Sequence, residues 1–556
     1  MSDTPSDNSN DIQAIKGARI NKDLGNNELR DYLAGKEETG SGCHVLSKIQ
    51  ELVSVRTPMD RPARVLLLAP RITIPKGMVK RVIPPLGLSY IAASLEKENI
   101  PVEVIDCTIE GYHQEEYRGN LMTYGLHPDK LRERILAFKP DIVGVSVLFS
   151  TDLFNMFETC RVIRKLVPDV TMVVGGLHAT IYPREIFSLD RETNGGEPCV
   201  DYVIRGEGEY RLIDFIRNLE KGVIDRKADG FAGYLNRDKF DLFVNNQVST
   251  IEDLDALPFP AYHLLPMEKY FEINVPFAPA PWGDRISQLL TTRGCPIGCS
   301  FCASTNMYKK HRARSVPNII AEIEDLKARY QIDEIQFADD NLTLLKERTE
   351  QFMPELAKCG VKWCTANGTM INTLSPELLE SMARAGLYQI TLSLDSGSAK
   401  TLKNLHHKPC DLTRIPGLIA KAQEFGVFTH GTLVVGMPGE SLEDIREGFD
   451  FVLNSLEFTS ISTFIASAIP GSELFHNAIE KGLISRRDAF AIDTTKSNIR
   501  LSHIEPVILE KMVMDFQSEF TTKAMERDKD TYQRKYGKLI KAGRMPSIFS
   551  NGGRLT

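Results

Sequence analysis

The sequence predicts an α/β protein in which two series of alternating strands and helices follow one another, with a helical segment at the end of the chain. Short apolar runs rich in Val and Ile recur between residues 65 and 204, with helical spacing between them. A second series of the same kind begins near Arg285. Such alternation is typical of parallel sheets, whether doubly wound or curled into a barrel. The 556 residues exceed what one hydrophobic core organises, so two or three domains are expected.

The first series predicts a Rossmann-like domain, a doubly wound parallel sheet, over residues 61–220. Each strand is a short apolar run bounded by glycine, proline or polar residues, as buried parallel strands are. The predicted strands are Val65–Ala69, Val102–Asp106, Asp141–Val147, Val170–Val174 and Tyr202–Ile204.

Polar stretches lie on either side of this domain. Residues 1–60 are predicted to form a mobile tail that ends in one helix around Cys43–Val55, because few apolar positions are in register. Residues 221–284 are predicted to be a linker, in which Pro258 and Pro260 favour an extended backbone.

The second series predicts a partial (β/α)6 barrel over residues 285–500, followed by a helical C-terminal region over residues 501–556. Six strand and helix units are too few for a closed eight-strand barrel. Helices are expected between the strands, as at Val316–Tyr330 and Pro376–Ala385. The predicted strands are Ile286–Thr291, Glu334–Phe337, Lys362–Ala366, Gln389–Leu394, His430–Val435 and Ser460–Ala466.

Composition argues against several classes of protein. The net charge is -7, and a negatively charged protein does not attract a polyanion, so nucleic acid is not expected as a partner. No apolar run is long enough to span a bilayer, and the first residues lack the pattern of a signal peptide. Ten cysteines without a disulfide pattern fit free thiols in a reducing cytoplasm. We therefore expect a cytoplasmic protein with no membrane partner.

The most informative motif is a C-x3-C-x2-C run that follows the first barrel strand. It consists of Cys295, Cys299 and Cys302. Three thiolates at this spacing can hold three irons of a [4Fe-4S] cubane, and the absence of a nearby fourth cysteine leaves one iron open to a small molecule. The alternative is a structural zinc site, which usually takes four ligands in paired motifs. No second pair is present, because Cys359, Cys364 and Cys410 are scattered over other elements.

The spacing of these cysteines, with Phe301 before the last one, resembles the signature of the radical S-adenosylmethionine (SAM) superfamily. The resemblance implies that the open iron binds the amino and carboxylate groups of SAM. It also implies that an electron from the reduced cluster cleaves the sulfonium to give a 5′-deoxyadenosyl radical. Beyond the cluster, the chemistry would require no conventional acid or base residue.

The same resemblance implies further SAM contacts at the ends of later barrel strands. Asp339 and Asp340 would meet the amino end, although Asp is also common at helix N-caps. Small polar residues after the fourth strand would contact the ribose and carboxylate, although such residues also form turns. The implied residues are Phe301, Asp339, Asp340, Ser393, Asp395, Ser396, Gly436 and Pro470.

The first sheet predicts a second ligand site, because open parallel sheets bind ligands at the carboxyl ends of their strands. No G-x-G-x-x-G loop follows the first strand, which argues against a dinucleotide. Glycines at several strand ends allow a large flat ligand to approach the backbone. The candidate residues are Pro70, Arg71, Leu148, Ser150, Gly175, Gly176, His178, Gly206, Glu207 and Gly208.

Together the two series resemble the cobalamin-binding radical SAM enzymes. The matching segments are Pro85-Leu-Gly-Leu88, Val174–Thr180, Gly206–Glu209 and Asp253–Pro260. The resemblance implies that the first domain binds cobalamin. No D-x-H-x-x-G loop is present, so a histidine ligand to cobalt is not implied. His178 is the alternative ligand, against a more ordinary role in hydrogen bonding to backbone or corrin amides.

This resemblance implies a methyltransferase that moves a methyl group from SAM, by way of methylcobalamin, to an unactivated carbon or phosphorus of a small substrate. A flavodoxin or ferredoxin would supply electrons. The segments Asp106–Tyr112 and Tyr124–Leu126 are similar to methylases of phosphonate and phosphinate antibiotic biosynthesis.

An anionic substrate of that kind would need cations, and the sequence offers a basic stretch that is equally well explained as a solvated loop. It comprises Lys309, Lys310, His311, Arg312 and Arg314. Two other functions remain open at this point. One is a cobalamin-dependent rearrangement or cyclisation without methyl transfer, and the other is a non-catalytic cobalamin and iron–sulfur sensor.

Overall fold

A seven-stranded sheet forms the first half of the computed structural model, which describes residues 52–278, 281–304, 308, 310–486, 488 and 501–541. Its five parallel strands occupy the predicted positions to within a residue. Numbered by their order in the sequence, these strands lie side by side in the order second, first, third, fourth, fifth. The order reverses between the first and third strands, which defines the switch point of a doubly wound sheet. The five strands are Val65–Ala69, Val102–Asp106, Ile142–Ser146, Thr171–Gly175 and Tyr202–Ile204.

Both faces of this sheet are covered, which explains why its strands are continuous apolar runs. Alternate residues of the first strand belong to different cores: Leu67 packs into one apolar cluster and Leu66 into another. Helices Leu86–Lys97 and Gly208–Glu220 cover one face, and Leu153–Leu166 and Pro183–Thr193 cover the other. Shorter helices are Cys107–Glu110, Arg132–Phe138 and Leu177–Ile181.

Residues 221–284, which are predicted to be a linker, also contribute regular elements in the structure. Phe231–Asn236 and Asp241–Val244 add two antiparallel strands to the edge of the sheet, and Met267–Ile273 is a helix. The predicted helix around Cys43–Val55 lies mostly outside the described residues, as does the predicted mobile tail. Its last part, Leu52–Ser54, is a strand that pairs with Val223–Asp225, since pairing with an existing edge overrides local preference.

Three further strands form a small antiparallel sheet beside the first domain: Ile72–Pro75, Glu115–Arg118 and Leu121–Tyr124. These strands lie within the first series, one before and two after its second strand in sequence, and were not predicted. Thr73 and Thr123 face each other across it, with their hydroxyl oxygens 2.8 Å apart.

The second half of the chain forms six parallel strands whose order in space follows their order in sequence, as the barrel prediction requires. Side chains alternate between the two faces of each strand. Ile335 packs outward against the helices, whereas Gln288 and Gln336 are paired in register on neighbouring strands and point to the concave side. The strands are Ile286–Leu289, Glu334–Phe337, Lys362–Thr365, Leu387–Asp395, Phe428–Val435 and Ser460–Ile465.

Helices follow the strands of this partial barrel, most of them on its convex side. They are Val316–Tyr330, Lys346–Cys359, Pro376–Arg384, Ala399–Asn404, Ile415–Glu424, Leu442–Ser455 and Glu473–Glu480. Two C-terminal helices, Pro506–Arg527 and Lys529–Lys541, follow as predicted. None of the helices in the described part of the chain has the length and apolar character needed to cross a bilayer.

The first C-terminal helix is fixed to the barrel by an aromatic pair and a polar contact. The rings of Phe449 and Phe516 stack with centroids 4.0 Å apart. On the same helix, the Gln517 side chain donates a hydrogen bond of 2.8 Å to Thr463 on the sixth strand. The helix therefore closes the barrel beside its last strand.

We predict that Phe516→Ala lowers the free energy of unfolding by about 3–5 kcal/mol, because it removes a large buried ring and leaves a cavity. Met514→Ala is the matched control, since Met514 lies on the same helix with 61% of its surface exposed and should change stability by less than about 0.5 kcal/mol. Urea unfolding followed by circular dichroism measures both. Equal effects of the two substitutions would contradict the assigned packing.

Candidate active site

The cysteine loop leaves the first barrel strand and is tied at both ends. Thr292–Arg293 pairs with Arg312–Ala313 as a short antiparallel ladder. Between them, the Cys295 amide donates to the Tyr308 carbonyl at 3.0 Å. Gly294 has φ +90°, and a Cβ there would lie 2.4 Å from the Lys310 carbonyl oxygen, so only glycine fits this turn.

The three cysteines of the motif are half-buried free thiols on one loop. Burial raises the pKa of Cys299 to about 12, and the nearby charge of Lys408 acts in the opposite direction. No three His, Cys, Asp or Glu side chains among the described residues surround a single point as ligands of one ion would. In a cubane each thiolate binds a different iron, so the donor set and its spacing fit a [4Fe-4S] cluster.

Phe301, the aromatic residue of the motif, packs against His406. The two rings meet edge to face with centroids 5.3 Å apart. The hydroxyl of the preceding residue, Ser300, donates a hydrogen bond to the Leu405 carbonyl. The Ser300 carbonyl accepts a hydrogen bond of 2.8 Å from the Leu474 amide. The loop is therefore anchored to segments that follow the fourth and sixth barrel strands.

Asp339 supports the cysteine loop from beneath. Its carboxylate accepts hydrogen bonds from the Thr291 amide, the Thr291 hydroxyl and the Thr292 hydroxyl, at 3.0, 2.7 and 2.6 Å. The expectation that Asp339 and Asp340 both meet SAM stays a prediction, and several of the hydrogen bonds that Asp339 can accept are already made by the threonines. Asp340 instead lines an open cavity, and burial together with the charge of Asp339 raises its pKa.

The end of the fourth barrel strand holds a buried ion pair. Asp395 has φ +61°, an unusual backbone conformation for a residue with a side chain. Its carboxylate pairs with Lys408 and accepts a hydrogen bond of 2.9 Å from the Thr432 hydroxyl. Lys408 was not predicted from the sequence, because only the fold brings it next to Asp395 and Cys299. The pair places a cation close to the cysteine loop.

The remaining residues expected near SAM also lie at strand ends. The Ser396 hydroxyl accepts from the Ser398 amide at 3.1 Å, and Ser393 packs against Gly368. The amide of Gly436 donates to the Glu440 carboxylate at 2.6 Å, and burial raises the pKa of Glu440 to about 7. Pro470 is buried and precedes Gly471, whose amide donates to the Tyr182 hydroxyl of the first domain at 3.0 Å.

A cavity of about 420 Å³ lies where the two domains meet. It opens at the switch point of the first sheet, between Leu67 of the first strand and Gly144 to Ser146 of the third. The barrel contributes Thr292, Arg293 and Asp340 among others. Six of the ten residues predicted for the first-domain ligand line it: Leu148, Gly175, Gly176, Gly206, Glu207 and Gly208.

Gly176 shows why glycine is needed on this wall. It has φ +104°, and a Cβ there would meet the Val147 carbonyl oxygen at 2.3 Å. The backbone at Gly176 can therefore pack directly against the backbone at Val147, and no side chain fills the cavity at this point. A mainly apolar recess with a few polar groups, bounded by both domains, fits a large planar cofactor beside the cysteine loop.

The other four residues predicted for this ligand do not line the cavity. Pro70 is buried, and Arg71 is paired with Glu116 and Glu158 at 2.7 Å each. The Ser150 hydroxyl and the His178 Nδ1 are hydrogen-bonded to each other at 2.9 Å. His178 is 2% exposed and burial lowers its pKa to about 4. These residues support the loops around the site, and local sequence could not reveal those partners.

A buried ion network joins the two domains across the wall of the cavity. Glu207 accepts from Arg293 at 2.9 Å and from Arg312 at 2.8 Å, and Arg293 also pairs with Glu209 at 2.8 Å. The Ile251 amide donates to Glu207 at 2.6 Å. We call Glu207, Glu209, Arg293 and Arg312 the interdomain network. Arg293 stands two residues before Cys295, so the network connects the cysteine loop to the loop after the fifth strand.

Two arginines of the basic stretch suggested for a substrate have buried carboxylate partners instead. Arg312 is committed to Glu207, and Arg314 is buried and paired with Glu322. Lys310 is exposed and paired with Glu252, and Lys309 lies outside the described residues. Burial by itself would raise the pKa of Glu207, yet the bond from Arg312 and the charge of Arg293 outweigh it and hold that pKa below 4.5.

Comparison with known proteins agrees with both halves of this site. The family model of the radical SAM superfamily matches residues 289–452, and that of the B12 binding domain matches residues 73–216. The chain is 34% identical over 468 residues to the cytidylyl-2-hydroxyethylphosphonate methyltransferase of Streptomyces wedmorensis. That alignment covers 79% of this chain and 86% of the Streptomyces enzyme.

Two solved structures share the fold. The cobalamin-dependent S-adenosylmethionine radical enzyme OxsB, with aqua-cobalamin and S-adenosylmethionine bound, superposes with a TM-score of 0.65 at 17% identity, over 88% of this chain and 72% of that chain. The radical S-adenosylmethionine methyltransferase TsrM of Kitasatospora setae, with cobalamin and a [4Fe-4S] cluster bound, gives 0.58 at 18% identity, over 76% and 75%.

We predict that Cys299→Ala prevents assembly of a [4Fe-4S] cluster, because two thiolates are left where three are required. Iron analysis and low-temperature electron paramagnetic resonance of anaerobically reconstituted protein measure the loss. Cys359→Ala is the control, since Cys359 is buried at the end of an outer helix and should leave the iron content unchanged. A normal cluster signal in Cys299→Ala would contradict the assignment.

We predict that Glu207→Gln lowers the free energy of unfolding by about 3–5 kcal/mol, because it leaves buried cations without their partner. The pH dependence has a definite sign. The folded pKa of Glu207 lies below its ordinary value of 4.5, so its contribution is present at neutral pH and is lost as the pH falls through the folded pKa. Denaturant unfolding from pH 7 to pH 3 should show a smaller loss of stability below pH 4.5 in Glu207→Gln than in the wild-type protein, and parallel curves would contradict this.

Proposed function

The chain belongs to the cobalamin-dependent radical SAM methyltransferases, and we propose that it methylates a carbon atom of a nucleotide-linked phosphonate. The observation that supports this substrate class is the 34% identity to the cytidylyl-2-hydroxyethylphosphonate methyltransferase. The alignment covers 86% of that enzyme, so it includes both domains. A carbon acceptor follows from the chemistry of such a substrate, since its phosphorus already carries four substituents and offers no P–H bond.

The cofactors supply the reactivity and the chain supplies position. When bound, SAM and the reduced cluster provide a carbon-centred radical that removes a hydrogen atom, and cobalamin provides the methyl group. In this proposal Cys295, Cys299 and Cys302 hold the cluster. The cavity at the domain boundary takes cobalamin against Leu148, Gly175, Gly176, Gly206 and Gly208.

The residues proposed to contact SAM lie at or after the carboxyl ends of the barrel strands. Asp340 would receive the ammonium group, because it is the carboxylate that remains available after Asp339 is occupied by the threonines. Ser393, Ser396, Gly436 and Pro470 would complete the pocket. Asp395 and Lys408 would act by holding the strand end and placing a positive charge near the cluster.

The apolar lining of the cavity would limit water beside the radical once cobalamin fills the opening. The cavity has more apolar than polar lining, contributed by residues such as Leu67, Ile91 and Leu212. Exclusion of water protects a reactive intermediate and strengthens electrostatic contacts to the substrate. One electron must be delivered for each SAM cleaved, and we propose that a flavodoxin or a ferredoxin delivers it.

We predict that the reconstituted holoenzyme transfers a labelled methyl group to cytidylyl-2-hydroxyethylphosphonate when incubated anaerobically with methyl-labelled SAM and a strong reductant. Mass spectrometry of the product should show the mass of one labelled methyl group on a carbon atom. Cys299→Ala protein with cobalamin added is the matched control and should give none, because it lacks the cluster.

Other results would contradict the proposal in distinct ways. A product of altered structure without the label would indicate rearrangement or cyclisation. Labelling of 2-hydroxyethylphosphonate but not of its cytidylyl ester would retain the methyltransferase and remove the nucleotide-linked substrate. Absence of 5′-deoxyadenosine with every phosphonate offered would contradict the whole substrate class.

A further inference from the structure

Tyr308 lies on the barrel wall of the cavity between the two domains, and its hydroxyl forms no hydrogen bond to any described residue. Other tyrosines of the protein donate to a fixed acceptor: Tyr124 to the Arg81 carbonyl at 2.8 Å and Tyr270 to Asp106 at 2.6 Å. A buried hydroxyl normally finds such a partner. Tyr308 is half-buried and faces an open cavity, so the partner of its hydroxyl is expected there.

The position of the Tyr308 side chain is fixed by the cysteine loop and by the interdomain network. Its carbonyl accepts from the Cys295 amide at 3.0 Å, and its amide donates to the Ser304 carbonyl at 2.9 Å. The Arg312 guanidinium lies 5.7 Å from the centre of the Tyr308 ring. A side chain held at both its backbone and its ring is prepared to bind a ligand without further ordering.

The Tyr308 hydroxyl keeps its proton and therefore acts as a donor. Burial raises the pKa of Tyr308 above its ordinary value of 10, and the charges of Glu207 and Glu209 act in the same direction. The charges of Arg293 and Arg312 oppose this rise without cancelling it. The phenol is thus uncharged at neutral pH.

The charged groups on this part of the wall already have partners. The members of the interdomain network that line the cavity pair with one another. Asp340 accepts hydrogen bonds from the Ser304 side chain and from the Gly294 amide. At Tyr308 a ligand therefore meets a neutral donor, which suits the carbonyl oxygen of an uncharged amide.

We propose that the Tyr308 hydroxyl donates a hydrogen bond to an amide carbonyl on the rim of cobalamin, so that the barrel as well as the first domain holds the cofactor. The proposal rests on the placement of cobalamin in this cavity under the proposed function, and it does not depend on the phosphonate substrate. Cobalamin carries uncharged acetamide and propionamide groups around its corrin ring. The first domain lines the cavity with glycines at Gly175, Gly176, Gly206 and Gly208, which offer no side-chain donors.

The contact gives Tyr308 a positioning role. The backbone of Tyr308 is bonded to Cys295, so one residue touches both the cofactor and the loop of the three cysteines. The hydrogen bond is therefore made only when the corrin rim and the cysteine loop are correctly placed relative to each other.

The test compares Tyr308→Phe with Tyr330→Phe in the full chain, with the cluster reconstituted and cobalamin removed. Tyr330 is also half-buried, but it ends an outer helix and is not part of the cavity lining. Loss of a hydrogen bond between neutral groups predicts that the Kd of hydroxocobalamin rises about three- to tenfold in Tyr308→Phe. Tyr330→Phe should keep the wild-type Kd. Equilibrium dialysis with ultraviolet–visible absorption measures the Kd, and Tyr308→Phe retains the aromatic ring and its packing.

A third variant, Leu148→Asp, separates this proposal from the placement of cobalamin. Leu148 lines the cavity from the first domain and is 55% exposed, so an aspartate fits there but places a charge against the cofactor. If Leu148→Asp weakens cobalamin binding and Tyr308→Phe does not, the cavity stands and the role of Tyr308 is overturned. If neither variant weakens binding, both assignments are overturned.

Substrate kinetics at saturating cobalamin address the other ligand that Tyr308 could meet. Tyr308→Phe should then keep the wild-type KM for cytidylyl-2-hydroxyethylphosphonate. A raised KM together with an unchanged Kd for hydroxocobalamin would overturn the proposal and assign the hydroxyl to the substrate.

Discussion

The interdomain network is the interaction on which the site depends. Glu207 lies on the loop after the fifth strand of the first sheet, and Arg293 lies on the strand that leads into the cysteine loop. Both side chains are largely removed from solvent, where an unpaired charge would be strongly unfavourable. The ion pairs of the network are therefore satisfied in only one relative position of the two loops. That position determines the shape of the cavity between them.

A methyl transfer that uses a cluster, SAM and cobalamin together depends on this kind of constraint. The cluster, SAM, the substrate and cobalamin must be in line, and no single domain contributes all of their contacts. The hydrogen bond from Gly471 to Tyr182 makes a further link between the barrel and the first domain. Together with the interdomain network, it restricts movement of the first domain relative to the barrel.

Much of the fold could be predicted from the sequence because its signals are local. Buried parallel strands are short apolar runs, and eleven of them stand where periodicity indicates. The cysteine motif is equally local, since its ligands lie within eight residues. The strand Phe231–Asn236 was missed because its short apolar stretch is interrupted by Gly233 and its last two residues are exposed.

The roles of the polar residues could not be predicted in the same way, because their partners are far apart in the chain. Glu207 and Arg312 are separated by 105 residues, and Arg293 and Glu209 by 84. The sequence marks Asp339 and Asp340 as a pair, whereas the fold turns one to the threonines and the other to the cavity. Lys535 comes to the barrel interior only because a C-terminal helix returns to the strands.

The most direct test of this account is the distance between the two paramagnetic centres in enzyme loaded with cob(II)alamin and a reduced cluster. Pulsed dipolar electron paramagnetic resonance measures the distribution of that distance. The account predicts one narrow distribution in the wild-type protein and a broad one in Glu207→Gln, because the loops are no longer fixed to each other. An equally narrow distribution in the variant would show that the interdomain network does not set the geometry of the site.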